Sequence, residues 1–169
     1  MPEPTIAVGV DGSPASHSAL RFALTEATRR AGRVRVITAW TWIGDHARYA
    51  SVVAPKLAQQ TQDRTIESVL TEADAVPPID RSVLEGLPAQ ALVAASRDCD
   101  LLVVGTNHKG ILKRVMDGSV SAYCVRHSQI PVVVVPFIDD GLESLVLDSE
   151  VRANCDSEPA DIEPTSSRT

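Results

Sequence analysis

Apolar side chains gather in five short runs along the chain, and the stretches between them repeat with a helical period. Thr5-Ile-Ala-Val-Gly-Val10, Val34-Arg-Val-Ile-Thr-Ala-Trp40 and Leu101-Leu-Val-Val104 read as strands, and Pro131-Val-Val-Val-Val135 is almost pure valine. Continuous apolar runs of this length, rich in β-branched residues, suit strands covered on both faces. Ile79-Asp-Arg-Ser-Val-Leu84 mixes polar and apolar positions behind Pro77-Pro78 and reads as an edge strand.

Four helices are predicted between the runs. Ser13-Pro14 is a strong start, with serine as N-cap and proline at the first helical position. Ala15, Ala19, Phe22, Ala23 and Ala27 then share a face, and Gly32 is placed as the C-cap. A longer helix is expected from about Ser51 to Ala73, burying Val53, Leu57, Ile66, Val69 and Leu70. Shorter ones are expected from Pro88 to Arg97 and from Ser119 to His127. The resulting order, β-α-β-α-β-α-β-α-β, predicts an α/β fold: a parallel sheet with right-handed crossovers and helices on both faces.

The pattern changes after Pro136. From Phe137 onward the chain holds nine acidic and two basic residues, so the net charge of −6 belongs to this segment. Residues 1–136, with fourteen basic against thirteen acidic side chains, are nearly neutral and lack the basic excess of a nucleic-acid binder. Residues 137–169, with Pro159, Pro164 and one short apolar patch, are expected to form a mostly disordered acidic tail. Residues 1–136 suffice for one domain. No apolar run approaches the roughly 18 residues of a membrane span. Met1-Pro-Glu-Pro lacks the pattern of a signal peptide, so the expected location is the cytoplasm. Cys99, Cys124 and Cys155 form no CxxC pair, and the first two read as small core residues.

Ligands of open parallel sheets bind beyond the carboxyl ends of the strands, where strand order reverses. The first strand runs into Gly9-Val-Asp11-Gly-Ser13 and the fourth into Gly105-Thr-Asn-His108-Lys109-Gly110. Were these strands neighbours, the two loops would face each other. Gly105 and Gly110 free the backbone to turn close to a ligand, and Gly118-Ser119 opens a helix whose N-terminus attracts phosphate. His108, Lys109, Lys113 and Arg114 lie between them as a local basic cluster. This is not a Walker loop, because Ile111-Leu112 follows Gly110 where Lys-Ser/Thr is required. It is not a dinucleotide fingerprint either, since Gly9-Val-Asp-Gly12 does not supply GxGxxG.

Asp11 has two readings, an acceptor for ribose hydroxyls or ordinary turn chemistry ahead of a helix. Ser13 and Ser119 read as caps or phosphate ligands. Trp40 and Trp42 either cover the cleft or pack on the long helix. The four histidines have no nucleophile–base partner in sequence, so the case for an enzyme is thin. The valine-rich fifth strand invites pairing with a second copy through residues 132–135, or cover by the tail.

Val8-Gly-Val-Asp-Gly-Ser13, Val103-Val-Gly-Thr106, Gly118-Ser-Val-Ser121 and Ile130-Pro-Val-Val-Val-Val135 together resemble the universal stress protein domain over about residues 4–136. The specific part is the G-x2-G-x9-G-(S/T) motif of its ATP-binding members. Gly105 fills the first position and Gly118-Ser119 the last pair, while His108 stands at the second glycine. The resemblance implies a doubly wound, five-stranded parallel sheet of order 3-2-1-4-5, Rossmann-like and akin to the adenine nucleotide alpha hydrolases. It implies a dimer that binds ATP or a related adenine nucleotide, with magnesium arriving on the ATP, and a regulatory role in the stress response with an unknown protein partner.

By that resemblance Asp11 contacts the ribose and the backbone near Ala39 faces the adenine. Gly105, Thr106, Asn107 and Gly110 surround the phosphates, and Gly118, Ser119 and Val120 close the far side. Gly9, His108, Lys109 and Arg114 complete the expected site. If the second motif position needs positive φ, histidine costs about 1 kcal/mol more than glycine there. The His108 ring would then crowd the phosphates or donate a hydrogen bond to them. A module with a degenerate loop that binds no nucleotide, or an enzyme of slow ATP hydrolysis, is the alternative.

Overall fold

The computed structural model describes residues 3–41, 47–71, 75–106 and 120–137. Within them, strands β1 (Thr5–Gly9), β2 (Arg33–Trp40), β3 (Ile79–Glu85), β4 (Leu101–Thr106) and β5 (Val132–Pro136) alternate with helices α1 (Pro14–Arg29), α2 (Ala47–Leu70), α3 (Pro88–Ala95) and α4 (Val120–His127). The strands form one parallel sheet of order β3-β2-β1-β4-β5. The expected topology is therefore found, with β3 and β5 at the edges. The acidic tail from residue 138 lies outside the described residues, as does Cys155.

Period-two alternation divides the core between the two faces of the sheet. Ile6, Val8, Val34, Val36, Leu101 and Val103 pack under α1 and α2, together with Leu20, Leu24, Ile66 and Val69 from those helices. Ala7, Ile37, Leu102 and Val104 face the other way, toward Leu92 of α3 and Cys124 of α4. Both cysteines foreseen as core residues, Cys99 and Cys124, are buried and free. Burial pushes the Cys124 thiol up to about 11, so it stays protonated at neutral pH.

Polar pins fix the layers. Asp100 locks β4 beside β1: Thr5 N–H donates to its carboxylate at 2.8 Å, and its own N–H donates to Thr5 O at 2.9 Å. Arg35 reaches the C-terminal end of α3, donating to Ala95 O at 3.1 Å and to Asp98 at 2.6 Å. This favours a cation near a helix carboxyl end. The Arg35 hydrogen bond holds the Asp98 carboxyl below its usual value.

The helix faces depart from the sequence pattern in two places. Leu57, expected inside, is 59% exposed, and Ala58, Gln62, Thr65, Ile66 and Val69 form the buried face of α2 instead. The reason is a buried amide. Gln62 Nε2 lies 3.0 Å from Ser82 O, 3.1 Å from Thr38 Oγ1 and 3.3 Å from Val36 O, tying α2 to β2 and β3. A polar side chain satisfied in this way is at home in a core, which a purely apolar pattern does not show. Phe22, also expected on a buried face, is 38% exposed, while its neighbours Leu20, Ala23 and Leu24 are inside. α2 itself starts earlier than expected and carries Pro55 within it. Val53 falls in a stretch described by its backbone only, and Ala73 lies outside the described residues.

The end of α1 differs as well. The left-handed residue is Ala31, at φ 49°, and not Gly32. Gly32 N–H donates to Ala27 O at 2.8 Å and Ala31 N–H to Thr28 O at 3.2 Å, the paired bonds of a Schellman ending. Gly32 is glycine for another reason: a Cβ there would lie 2.3 Å from Pro4 O. An L-residue in the left-handed region is strained, so Ala31→Gly is expected to stabilise the fold by about 1 kcal/mol. Urea denaturation followed by circular dichroism checks this, through a raised midpoint at unchanged slope.

Candidate ligand site at the sheet switch point

β1 and β4 lie side by side, with Ile6 opposite Leu101 and Val8 opposite Val103. From β1 the chain leaves into α1 on one face, and α4 follows β4 on the other. The carboxyl ends of the two strands therefore part and leave a cavity of about 150 Å³. Asp11, Ser13 and Ser16, joined by hydrogen bonds, form its polar end, and Ile37, Leu92 and Val104, which pack in one cluster, form its apolar end with Ala39, Pro88 and Val120. Gly9, Val10 and Gly105 complete the lining among the described residues.

The polar end is a built turn. Gly12 stands at φ 82°, and a Cβ there would lie 2.7 Å from Thr61 Cγ2 of α2, so glycine is required twice over. Asp11 Oδ1 accepts the Ser13 N–H at 2.9 Å. Ser13 caps α1, its Oγ accepting the Ser16 N–H at 3.2 Å. Ser13 O accepts Ser16 Oγ–H at 2.8 Å and lies 2.8 Å from His17 Nδ1. Asp11 therefore performs the turn chemistry foreseen for it and also lines the cavity. Partial desolvation pushes its carboxyl up, but hydrogen bonds from Ser13 and Ser16 outweigh this and hold it below the usual carboxylate value.

Two glycines explain why the helices close in around this point. Gly105 faces α1, and a Cβ on it would lie 2.3 Å from Ala15 O. Gly9 faces α3, and its Cβ would lie 2.9 Å and 3.0 Å from the two Leu92 methyl carbons. Neither has positive φ. Their bareness is demanded by helix packing, in addition to any approach of a ligand.

Of the expected site residues, Gly9, Asp11, Ala39, Gly105 and Val120 are brought together around the cavity. Thr106 ends β4, and its carbonyl accepts the Phe137 N–H at 2.9 Å. It does not appear in the cavity lining. Asn107, His108, Lys109, Gly110, Lys113, Arg114, Gly118 and Ser119 lie outside the described residues, as does Trp42. Sequence reasoning missed Val10, Ser16, Ile37, Pro88, Leu92 and Val104 as lining. Period two along β2 would have placed Ile37 beside Ala39, and Pro88 marks the same end of the sheet as the exit of β3. Among the described residues, no group of three or more His, Cys, Asp or Glu is placed to hold a metal. No described helix is long and apolar enough to cross a membrane.

This arrangement, a doubly wound parallel sheet with a mainly apolar cleft at its switch point, defines a class of small α/β modules. Within that class the chain belongs to the universal stress protein family, whose family model matches residues 4–136. Universal stress protein Rv2005c of Mycobacterium tuberculosis is 30% identical over 131 residues, covering 76% of this chain and 44% of its own length. The chain thus spans less than half the length of the curated relatives it matches. Among solved structures, the universal stress protein from Archaeoglobus fulgidus in complex with dAMP has a TM-score of 0.57 at 22% identity, covering 80% of this chain and 99% of that one. A universal stress protein family protein from Arabidopsis thaliana with AMP bound has a TM-score of 0.58 at 17% identity, covering 81% and 94%. At these identities the two likenesses bear on the fold.

The Asp11 shift has a direct consequence for stability. A carboxyl lowered in the folded chain adds stability above its unfolded value, near pH 4, and loses it as pH falls through the folded value. The stability difference between wild type and Asp11→Asn is therefore expected to be level above about pH 5 and to shrink steadily toward pH 2. Denaturation midpoints measured across that range check the sign.

Proposed function

We propose that the chain binds an adenine nucleotide, ATP or a related one, in the switch-point cavity, and that occupancy regulates its shape or its partners in a cytoplasmic stress response. The observation that carries this reading is the division of the cavity. An acidic and hydroxyl end at Asp11, Ser13 and Ser16 suits a ribose, and an apolar end around Ile37, Ala39 and Leu92 suits a flat base. In this reading residues 1–136 are the nucleotide-binding module and 137–169 an acidic appendage. Asp11 accepts from the ribose hydroxyls, and the backbone near Ala39 faces the adenine.

The phosphates meet the loop that leaves β4, with Thr106, Asn107, His108, Lys109, Gly110 and Arg114 on one side and Gly118, Ser119 and Val120 on the other. Magnesium enters with ATP. The likeness to family structures holding AMP and dAMP supports the choice of an adenine nucleotide. A homodimer through residues 132–135 is part of the proposal, supported by the position of β5 at the sheet edge. A second reading, an interaction module without nucleotide, is favoured by His108 at the motif's second glycine.

Thermal denaturation with and without ATP or AMP separates the two. A binder is expected to gain about 3–4 kcal/mol at ligand concentrations a hundred- to a thousandfold above Kd. Asp11→Ala is expected to weaken binding by roughly 10- to 100-fold, the loss of hydrogen bonds to a charged acceptor. A midpoint that neither nucleotide moves favours the second reading, and recovery of the shift in His108→Gly would locate the cause in that residue.

A further inference from the structure

Pro88 and Leu92 stand one helical turn apart on α3, so both meet the cavity from the same side of that helix. Leu92 is buried and lines the apolar end, and its unbranched Cβ leaves it freer to change rotamer than the β-branched Ile37 beside it. It sits directly over the β1 backbone because residue 9 has no side chain. A Cβ on Gly9 would fall at 2.9 Å and 3.0 Å from the Leu92 methyl carbons, well inside the ordinary carbon–carbon separation of about 3.5–4.0 Å. The Gly9 backbone is not in the left-handed region, so an alanine there would be resisted only by Leu92. Leucine is able to give way by a change of rotamer, and the space open to it is the cavity it already lines.

We infer that Leu92 sets the depth of the apolar end, and with it the size of ring system the site accepts, and that Gly9 acts there by making room for Leu92. The inference rests on the nucleotide reading above, and it assigns α3 a part in ligand selection. Gly9 becomes a positioning residue whose effect runs through Leu92. A Gly9 that touched the ligand itself would behave differently under a compensating change.

The test is calorimetric titration of AMP and of N6-benzyl-AMP into wild type, Leu92→Ala, Gly9→Ala and the double variant Gly9→Ala/Leu92→Val. Leu92→Ala is expected to shift preference toward the enlarged base by roughly tenfold, the scale of a lost methylene or more in an apolar pocket. Gly9→Ala is expected to weaken AMP by roughly tenfold, and the double variant to return it to within about threefold of wild type. Where Leu92→Ala does not fold, the milder Leu92→Val carries the same comparison. A preference unchanged by truncating Leu92, or a Gly9→Ala loss that the second substitution leaves in place, overturns the inference while nucleotide binding by wild type stands. Folded wild type that binds neither AMP nor ATP overturns the nucleotide reading and this inference with it.

Discussion

The structure depends on the pairing of β1 with β4, two strands far apart in sequence whose connections depart to opposite faces of the sheet. That pairing brings α1 against one face and α3 against the other at the same point along the strands. Both helices come unusually close there. Gly105 admits the Ala15 carbonyl on the α1 side, and Gly9 admits Leu92 on the α3 side. The cavity is the gap that remains between two helices drawn down onto bare backbone, with the carboxyl ends of β1 and β4 as its floor.

Polar groups then decide what the gap presents. The Asp11 turn, the left-handed Gly12 and the Ser13 cap place a carboxylate and two hydroxyls at one end, and each belongs to the hydrogen bonds that start α1. The same groups therefore serve folding and the site. Farther back, the Gln62 amide holds α2 on β2 and β3, and Arg35 holds the carboxyl end of α3 against the sheet. The apolar end of the cavity is built on elements pinned by these buried or half-buried contacts. Contacts of this kind hold the backbone elements that carry the lining in fixed register.

Most of the fold was legible in the sequence. Apolar, β-branched runs marked four strands, the mixed run behind Pro77-Pro78 marked the edge strand β3, and Ser13-Pro14 marked the start of α1. The sheet order came only through resemblance, because periodicity reports which residues are buried and not which strands adjoin. Leu57 was misplaced because the buried face of α2 includes Gln62, whose partners are carbonyls and a hydroxyl on other elements. Ala31 was missed because glycine is the usual left-handed residue at a helix end, and here Gly32 is required one position later by Pro4. Around the cavity, Gly9, Asp11, Ala39, Gly105 and Val120 had been expected together through the resemblance. Leu92 and Pro88 had not, since a helix arriving from the far face carries no local signal of what it will touch.

The central claim is that the switch-point cavity is where the chain receives its ligand. Titration of isotopically labelled protein with ATP, followed by amide resonances, tests it directly. The account predicts saturable shifts at Gly9, Val10, Asp11, Ala39 and Gly105, with Arg33 and Asp80 at the opposite end of the sheet unmoved. Saturable shifts confined to other surfaces, or none at any ATP concentration, would contradict it.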